Sequence, residues 1–409
     1  MMKYTTISAA AVALGISHNT INAFTALQIT TLQKVHHAAT LDDVVVSEDE
    51  VKDDSKDLKR QQLKQALLGR LGDTNKDSGC DPVLCDPFTQ ESLSLSSIKG
   101  PILGARSGGV RLSLTSESGD TFEGRTNKYI NLLEPASAIS EEDEEKKTSI
   151  ILSTVLSLTP PPIRSIIASN SDDVEYVPMR DLFTSPSVSF AYERGWRQGF
   201  AAAGFPGADE EFELATEYFS PVIEQKNDKN EDTVLVDMSC ATGLFTRRFT
   251  KSNTYSRVIA CDYSDSMLTE ARRRLNADSE IAESSTKLDL VRCDVAKIPM
   301  KTDSVDVFHA GAAMHCWPEI EASLKEIHRV LTPGGRYFAT TFLGNYFSTV
   351  AGAEKASNGG ADVETSMQAF QYFPSVDYLK DLLLDAGFEN ENVSVELVGR
   401  GCVIMRCEK

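Results

Sequence analysis

Short, mainly apolar runs alternate with amphipathic stretches from Thr233 to the end of the chain. The first run, residues 234–238, has the length and character of a buried parallel strand. Similar runs follow at residues 257–261, 288–292, 305–310 and 337–342, with helical patterns between them at residues 244–249, 267–275 and 319–331. Repeated strand–helix units predict an α/β fold with a doubly wound, mostly parallel sheet. A last helix at residues 375–387 and a strand pattern at residues 393–407 end the chain.

Composition divides the chain ahead of this pattern into four regions. Residues 1–40 contain no Asp or Glu, whereas the next stretch is dense in acids and leads into a short amphipathic helix that ends near Gly72. A second acidic run and three consecutive prolines mark another linker. We therefore predict a targeting presequence at residues 1–40, an acidic linker and helix at 41–74, a small degenerate ribbon-like β module at 75–135, a variable linker at 136–175 and the α/β domain at 176–409.

The presequence has two parts. Lys3, a short apolar core and Ala23 before a break are typical of a secretory signal. The stretch from Phe24 to Thr40 is also free of acids, as in a transit peptide. A signal followed by a transit-like segment that begins with Phe resembles the presequences of plastid proteins in diatoms and related algae. The resemblance implies a plastid location. A plain chloroplast or mitochondrial transit peptide is the alternative, and the absence of Arg weakens the mitochondrial version.

The β module begins with Cys80 and Cys85, spaced C-x4-C. A structural zinc ribbon needs four soft ligands, usually from two Cys pairs. The second pair is absent, because Thr115 and Ser118 stand where it would fit. We therefore predict a small β module without a metal.

Charge and cysteine content exclude several classes of protein. Acidic residues outnumber basic ones by 60 to 41, which gives a net charge of −19. A surface that negative repels phosphate backbones, so we expect no nucleic-acid partner. No apolar run reaches the ~20 residues of a membrane span, so we expect no integral membrane segment. Eight cysteines in 409 residues are too few for a disulfide scaffold, which favours a reducing compartment.

The residues that follow the predicted strands indicate a ligand site. Ligands bind doubly wound sheets at the carboxyl ends of the strands. Gly243 stands where the first strand turns into its helix, and a glycine there lets the backbone approach a ligand closely. Asp262 ends the second strand, where a carboxylate can accept both hydroxyls of a ribose. Asp294 ends the third strand, where a side chain can reach an adenine edge. Together these residues predict an adenosine-shaped site.

The turn after the first strand indicates which adenosine cofactor binds. A nicotinamide enzyme would carry G-x-G-x-x-G there to hold a pyrophosphate. This turn reads D-M-S-C-A-T-G from Asp237 to Gly243, with one glycine and an acid at its start. A carboxylate repels a pyrophosphate but suits a positive sulfonium. The turn resembles the D-x-G-x-G-x-G motif of class I S-adenosylmethionine-dependent methyltransferases, with Ser239 and Ala241 in place of the first two glycines.

Two further stretches narrow the resemblance. Residues 326–335 resemble the E-x-x-R-V-L-x-P-G-G turn of the ubiquinone/menaquinone-type branch, known as methyltransferase type 11. Residues 188–198 and 310–317 resemble segments of a plant and algal plastid methyltransferase family. The resemblance implies a seven-stranded sheet whose last strand is reversed, S-adenosylmethionine as cofactor, and methyl transfer to a small-molecule or lipid-like acceptor. A non-catalytic S-adenosylmethionine-binding regulator is the alternative, and a nicotinamide oxidoreductase is disfavoured by the missing glycines.

The resemblance also implies roles for single residues. Cofactor contacts are expected from Asp237, Ser239 and Gly243 at the methionine end, from Asp262 at the ribose, and from Asp294 and Val295 at the adenine. His315, which follows the fourth strand beside Trp317, is the candidate catalytic residue, either as a base or by packing against the acceptor.

Other residues near these strand ends carry weaker expectations. His309 lies inside the fourth strand and is predicted to be a core residue. Tyr192, Trp196 and Phe200 form an aromatic stripe that either packs on the body or caps the site. Three cysteines near strand ends could cluster in space, either as small buried residues or as a redox switch; these are Cys240, Cys293 and Cys316.

Overall fold

The computed structural model describes residues 80–99, 111–125, 128–138, 200–344 and 373–409. The predicted presequence, the acidic linker with its helix, and most of the second linker lie outside these residues, as do Tyr192 and Trp196. Within the described ranges, every helix is too short or too polar to span a lipid bilayer.

Twelve strands are found in the described residues. Five come from the front of the chain: β1 (Cys80–Cys85), β2 (Ser92–Lys99), β3 (Arg111–Thr115), β4 (Thr121–Arg125) and β5 (Ile130–Asn131). Seven belong to the α/β domain: β6 (Val234–Met238), β7 (Arg257–Asp262), β8 (Lys287–Arg292), β9 (Val305–Ala310), β10 (Leu331–Phe342), β11 (Val393–Val398) and β12 (Cys402–Glu408).

Helices connect the strands of the α/β domain. They are α1 (Phe200–Ala203), α2 (Ala208–Lys229), α3 (Leu244–Lys251), α4 (Asp265–Ala277), α5 (Ser279–Glu283), α6 (Ile320–Val330) and α7 (Val376–Asp385). The apolar side of α2 packs on one face of the sheet through Ala215, Phe219 and Ile223. On the other face, α6 and α7 contribute leucines such as Leu324 and Leu379.

The seven strands of the α/β domain lie in the order β8-β7-β6-β9-β10-β12-β11. The first five are parallel, and β12 runs antiparallel to β10 and β11. Every residue of β6, β7 and β9 is buried, because helices cover both faces of a parallel sheet. The predicted doubly wound seven-stranded sheet is therefore confirmed. β10 begins earlier than predicted, at Leu331, and its pairing with β9 is irregular as far as Arg336, across the Pro-Gly-Gly turn.

The front strands continue this sheet. β1 to β5 form an antiparallel meander, and β5 pairs in parallel with β8 through Ile130 and Asn131. Leu84 of β1 also forms a bridge with Met300, and both side chains are fully buried in the main core. The sequence predicted a small β module here, but not that its strands would extend the edge of the larger sheet.

A buried ion cluster fastens the meander to the α/β domain. Both terminal nitrogens of Arg257, at the start of β7, donate to Asp81 of β1 at 3.0 Å, and its Nε donates to Asp289 of β8 at 2.8 Å. The side chains of Arg257 and Asp81 are 5% and 1% exposed. A buried guanidinium is tolerated when carboxylates satisfy its donors, so these contacts make β1 part of the domain.

Cys85 ends β1 and is fully buried. Burial raises the pKa of its thiol to about 12, and the thiol lies 3.5 Å from Oε1 of Gln90. The described part of the chain holds no group of three or more His, Cys, Asp or Glu side chains arranged to bind a metal ion.

Candidate functional site

An open cleft of about 790 Å³, including the solvent at its mouth, lies at the carboxyl ends of the parallel strands. One side, after β7 and β8, is lined by Asp262, Tyr263, Met267, Cys293, Asp294 and Val295. The other side, which we call the β9 side, is lined by Phe200, Ala312, Ala313, His315, Cys316 and Trp317. Met238, Ser239, Ala241 and Gly311 lie between the two. The cleft thus brings together five of the seven predicted site residues: Ser239, Asp262, Asp294, Val295 and His315.

The loop after β6 has the positive φ angles typical of a glycine-rich turn, although Ser239 and Ala241 occupy two of the glycine positions. Ser239 and Ala241 adopt left-handed conformations with φ of 56° and 48°, and Gly243 follows with φ of 82°. Residues other than glycine seldom adopt this backbone region. The conformation costs about 1–3 kcal/mol per residue, so neighbouring contacts are needed to hold it. Such contacts exist. The Ala241 N–H donates to Asp262 Oδ2 at 2.8 Å, and the Trp317 indole donates to the Ser239 hydroxyl at 3.0 Å.

Asp262 ends β7 and forms part of the cleft wall. Its Oδ2 accepts the Ala241 N–H and its Oδ1 accepts the Ser264 N–H, both at 2.8 Å. Burial raises the pKa of this carboxyl to about 6, although the two backbone hydrogen bonds act to lower it. Each carboxylate oxygen can accept a second hydrogen bond. Asp262 therefore offers two acceptors to a pair of ligand hydroxyls.

Asp294 and Val295 follow β8 and line the same side. Asp294 Oδ1 accepts the Ala296 N–H at 3.0 Å, which turns the chain away from the strand. Val295 is only 5% exposed and, with Met267, gives this side an apolar surface. Val295 and Met267 thus place an apolar wall beside the carboxylate of Asp262.

Asp237 lies beneath the loop and does not line the cleft. Its side chain is almost fully buried, with Oδ1 2.9 Å from His309 Nδ1 and Oδ2 accepting the Thr246 hydroxyl at 2.5 Å. Gly243 is also absent from the cleft lining. A Cβ on Gly243 would lie 3.6 Å from Ala271 Cβ, so its positive φ, rather than a close ligand approach, is what requires glycine. Both residues support the loop whose Ser239 and Ala241 line the cleft.

A buried acid–histidine cluster lies under the cleft floor. Glu211 of α2 is fully buried, accepts the Thr340 hydroxyl at 2.9 Å and has Oε1 3.8 Å from His309 Nε2. Burial by itself lowers the pKa of His309, but the hydrogen bond to Asp237 and the nearby carboxylate of Glu211 outweigh it and leave that pKa raised. A Cβ on Gly311 would lie 2.8 Å from Glu211 Oε1, so the backbone of this cleft-lining residue packs closely against the cluster.

The sequence placed His309 in the core correctly but gave no sign of Glu211. Glu211 follows Asp209 and Glu210 in the first turn of α2, where acids are common for helix-dipole reasons. Nothing in that pattern distinguishes the buried acid from the exposed ones.

His315 lies on the β9 side and is 4% exposed. Burial lowers the pKa of its imidazole to about 3, so the ring is neutral at neutral pH. It packs edge-on against Phe342, with ring centroids 4.9 Å apart, and its Nδ1 lies 3.5 Å from the Thr341 hydroxyl. A neutral, weakly basic ring favours the packing role that the sequence left open over the role of a base.

The remaining predicted features are only partly described. Phe200 begins α1, lines the cleft and packs against Phe205 and Phe342. Burial raises the thiol pKa values of Cys240 and Cys316, and both of them, like Cys293, are free thiols. Thiols whose pKa is raised are poor nucleophiles, which supports their reading as small buried residues.

Comparison with known proteins agrees with this geometry. The methyltransferase domain family matches residues 236–339, from within β6 to β10. Over 163 residues the chain is 49% identical to an uncharacterized chloroplastic methyltransferase of Arabidopsis thaliana, covering 40% of this chain and 44% of the relative. It is 28% identical to the ubiquinone/menaquinone biosynthesis C-methyltransferase UbiE of Roseobacter denitrificans, covering 41% of this chain and 71% of the relative. The chain thus spans less than half the length of the Arabidopsis relative.

Two further matches complete the comparison. Phosphoethanolamine N-methyltransferase 2 of Haemonchus contortus, solved with S-adenosyl-L-methionine, aligns with a TM-score of 0.39 at 18% identity, over 54% of this chain and 46% of that one. The NUMOD1 domain family matches residues 1–24, which lie outside the described residues. Residues 236–339 therefore match a methyltransferase domain, and the curated relatives aligned with this chain are named as methyltransferases.

Proposed function

We propose that this chain transfers a methyl group from S-adenosylmethionine to a small-molecule or lipid-like acceptor in the plastid. The observation that carries the proposal is the Asp262 carboxylate. It stands in the cleft wall, held by two backbone N–H groups, with one acceptor position left on each oxygen. That arrangement matches the two hydroxyls of a ribose, and the apolar surface around Val295 matches the adenine.

The reaction requires little acid–base catalysis by the protein. S-adenosylmethionine, when bound, supplies a methyl group that is already activated by its sulfonium. The chain contributes binding and orientation, which hold the acceptor in line with the donor. Asp262 fixes one end of the cofactor, and the loop from Ser239 to Gly243 shapes the other. With a pKa of about 3, the His315 ring is a neutral imidazole at neutral pH, and it packs against the acceptor.

The acceptor class follows from the lining of the β9 side. Phe200, Ala312, Ala313 and Trp317 are apolar, and the imidazole of His315 is neutral. Among the described residues this side carries no ionised group, which favours an uncharged, apolar or ring-bearing reactive end over a charged one. The name of the Roseobacter relative, which refers to ubiquinone and menaquinone biosynthesis, is consistent with acceptors of this kind.

The plastid location rests on two observations. The Arabidopsis relatives are named chloroplastic, and residues 1–40 have the acid-free composition of a two-part presequence. A fluorescent reporter fused to residues 1–40 should enter the plastid of an alga with a secondary plastid. Changing Phe24→Ala should stall the reporter before import. A cytosolic or mitochondrial signal from the intact presequence would contradict the location.

The activity is tested in two steps. Titration calorimetry should show binding of S-adenosylmethionine and no binding of NADH. Incubation with methyl-labelled cofactor and a plastid extract should then transfer label to an extracted product, and Asp262→Ala should abolish the transfer. Binding without any transfer would support the non-catalytic regulator, and NADH binding would support the oxidoreductase. Metabolite profiles of a knockout strain, searched for missing methylated species, would identify the acceptor.

A further inference from the structure

We infer that Ser239 is a positioning residue that links the cofactor loop to Trp317, so that the acceptor side of the cleft takes its shape from the cofactor side. This inference rests on the proposed function, because it assigns the two sides of the cleft to donor and acceptor. It assigns Ser239 a task that a glycine at the same motif position cannot perform.

The contact joins distant parts of the chain. Ser239 follows β6, and Trp317 follows the single 3₁₀ turn Met314–Cys316 after β9. The indole Nε1–H donates to the Ser239 hydroxyl at 3.0 Å, and both residues line the cleft. Trp317 is only 3% exposed, so water cannot easily replace this acceptor. The orientation of the indole therefore depends on the hydroxyl.

The backbone conformation of Ser239 favours glycine, so the presence of a serine at this position indicates a role for its hydroxyl. With φ of 56°, the position suits glycine, and a serine there carries a conformational cost. A glycine would remove that cost but would leave the indole N–H without its acceptor. The hydrogen bond to Trp317 is the contact in the described residues that a serine gains and a glycine lacks.

The same loop is tied to the ribose anchor. Ala241, two residues beyond Ser239, donates its N–H to Asp262 at 2.8 Å. Asp262, the loop and Trp317 are thus joined by consecutive hydrogen bonds across the cleft. When ligand hydroxyls bind Asp262, they order the loop, and the loop orders the indole. Cofactor binding is therefore expected to make an already formed acceptor wall more rigid.

Trp317 itself supplies the probe. The chain has two tryptophans, Trp196 and Trp317, so a Trp196→Phe parent reports on Trp317 alone. Acrylamide quenching of its fluorescence is measured with and without S-adenosylmethionine in the full-length protein. Variants Ser239→Ala and Ser239→Gly are compared with Ser394→Ala, an exposed serine on β11 that is absent from the cleft lining.

Quenching of Trp317 should decrease when the cofactor binds the parent and the Ser394→Ala control. In both Ser239 variants quenching should be higher, by about twofold, because the indole has lost its acceptor. The cofactor should no longer reduce it. The dissociation constant for S-adenosylmethionine is measured for each variant, so that quenching is compared at saturating cofactor. Ser239→Gly separates the two roles, because it relieves the strained backbone while it removes the hydroxyl.

Two results would overturn the inference. One is equal quenching in the parent and both Ser239 variants, and the other is a cofactor response that survives in Ser239→Gly. Failure of the proposed function looks different. Calorimetry would then show no binding of S-adenosylmethionine to the parent, while the cofactor-free quenching comparison would still test the hydrogen bond.

Discussion

Replacement of Asp262 tests the adenosine site most directly. Asp262→Ala removes both acceptors for the ribose hydroxyls. Hydrogen bonds to a charged group contribute about 1.5–3 kcal/mol each, so two of them amount to roughly 3–6 kcal/mol before water compensates. Since each ~1.4 kcal/mol is a tenfold change in affinity, S-adenosylmethionine should bind at least ~30-fold more weakly.

The structure also predicts that Asp262→Ala lowers the stability of the fold, which the sequence alone did not predict. From the sequence we expect Asp262 to face only the ligand, so that its removal leaves the melting temperature unchanged. In the structure Asp262 also accepts the N–H groups of Ala241 and Ser264, and Ala would leave both without this acceptor. A buried donor without a partner costs about 1–3 kcal/mol. The melting temperature should therefore fall by several degrees, at about 2–4 °C per kcal/mol.

A conservative variant separates the two effects. Asp262→Asn keeps the shape of the side chain and one acceptor oxygen but lacks the charge, so its melting temperature should fall less while cofactor affinity is still reduced. The control is Asp381→Ala, an exposed aspartate of α7 that does not line the cleft. Asp265 is unsuitable, although it stands three residues away, because it accepts the Tyr129 hydroxyl at 2.6 Å.

The pH dependence gives an independent check. Since the pKa of Asp262 is about 6, affinity for the cofactor should fall as pH drops through that value and the acceptors are lost. Stability without ligand should change in the opposite direction. Burial raises this pKa above its ordinary value of 3.8, so the stabilising contribution is present below pH 3.8 and is lost as pH rises through about 6.

Calorimetry at pH 7.5 and at pH 5.5 measures the affinities, and thermal unfolding measures the stability. The reasoning fails if folded Asp262→Ala binds S-adenosylmethionine within about threefold of Asp381→Ala, a difference of only about 0.6 kcal/mol. It also fails if wild-type affinity is the same at both pH values.

Two further predictions concern buried charges away from the cleft lining. Asp81→Ala leaves the buried Arg257 without its bidentate partner and should reduce the free energy of unfolding by about 3–5 kcal/mol, seen as a lower urea midpoint. The control is Glu117→Ala, on an exposed turn of the same meander. Equal urea midpoints in the two variants would contradict this prediction. Glu211→Gln removes one of two carboxylates that raise the pKa of His309. A raised histidine pKa stabilises the fold below about pH 6.5, and this contribution is lost as pH rises through the pKa in the folded state. The urea midpoint should therefore fall less between pH 6 and pH 9 in Glu211→Gln than in the wild type.

The sequence by itself determined the α/β fold and most of the cleft wall. Apolar strands that alternate with helices form a parallel sheet, and such a sheet brings the carboxyl ends of its strands to one edge. Asp262, Asp294, Val295 and His315 each follow a strand, so their convergence on one cleft follows from local position alone. The resemblance of the loop after β6 to a known motif then added the cofactor.

The tertiary structure alone decided how these parts are held. The Ser239–Trp317 and Asp237–His309 contacts each join two strand ends, and Arg257–Asp81 joins the front meander to β7. Partners of this kind lie 72 to 176 residues apart in the sequence. Local sequence patterns do not predict such pairs, because a polar residue in an apolar strand gives the same pattern whether it faces a ligand or a buried partner. Asp237 was therefore expected at the methionine end of the cleft, but it lies beneath the lining, with its Oδ1 2.9 Å from His309 Nδ1.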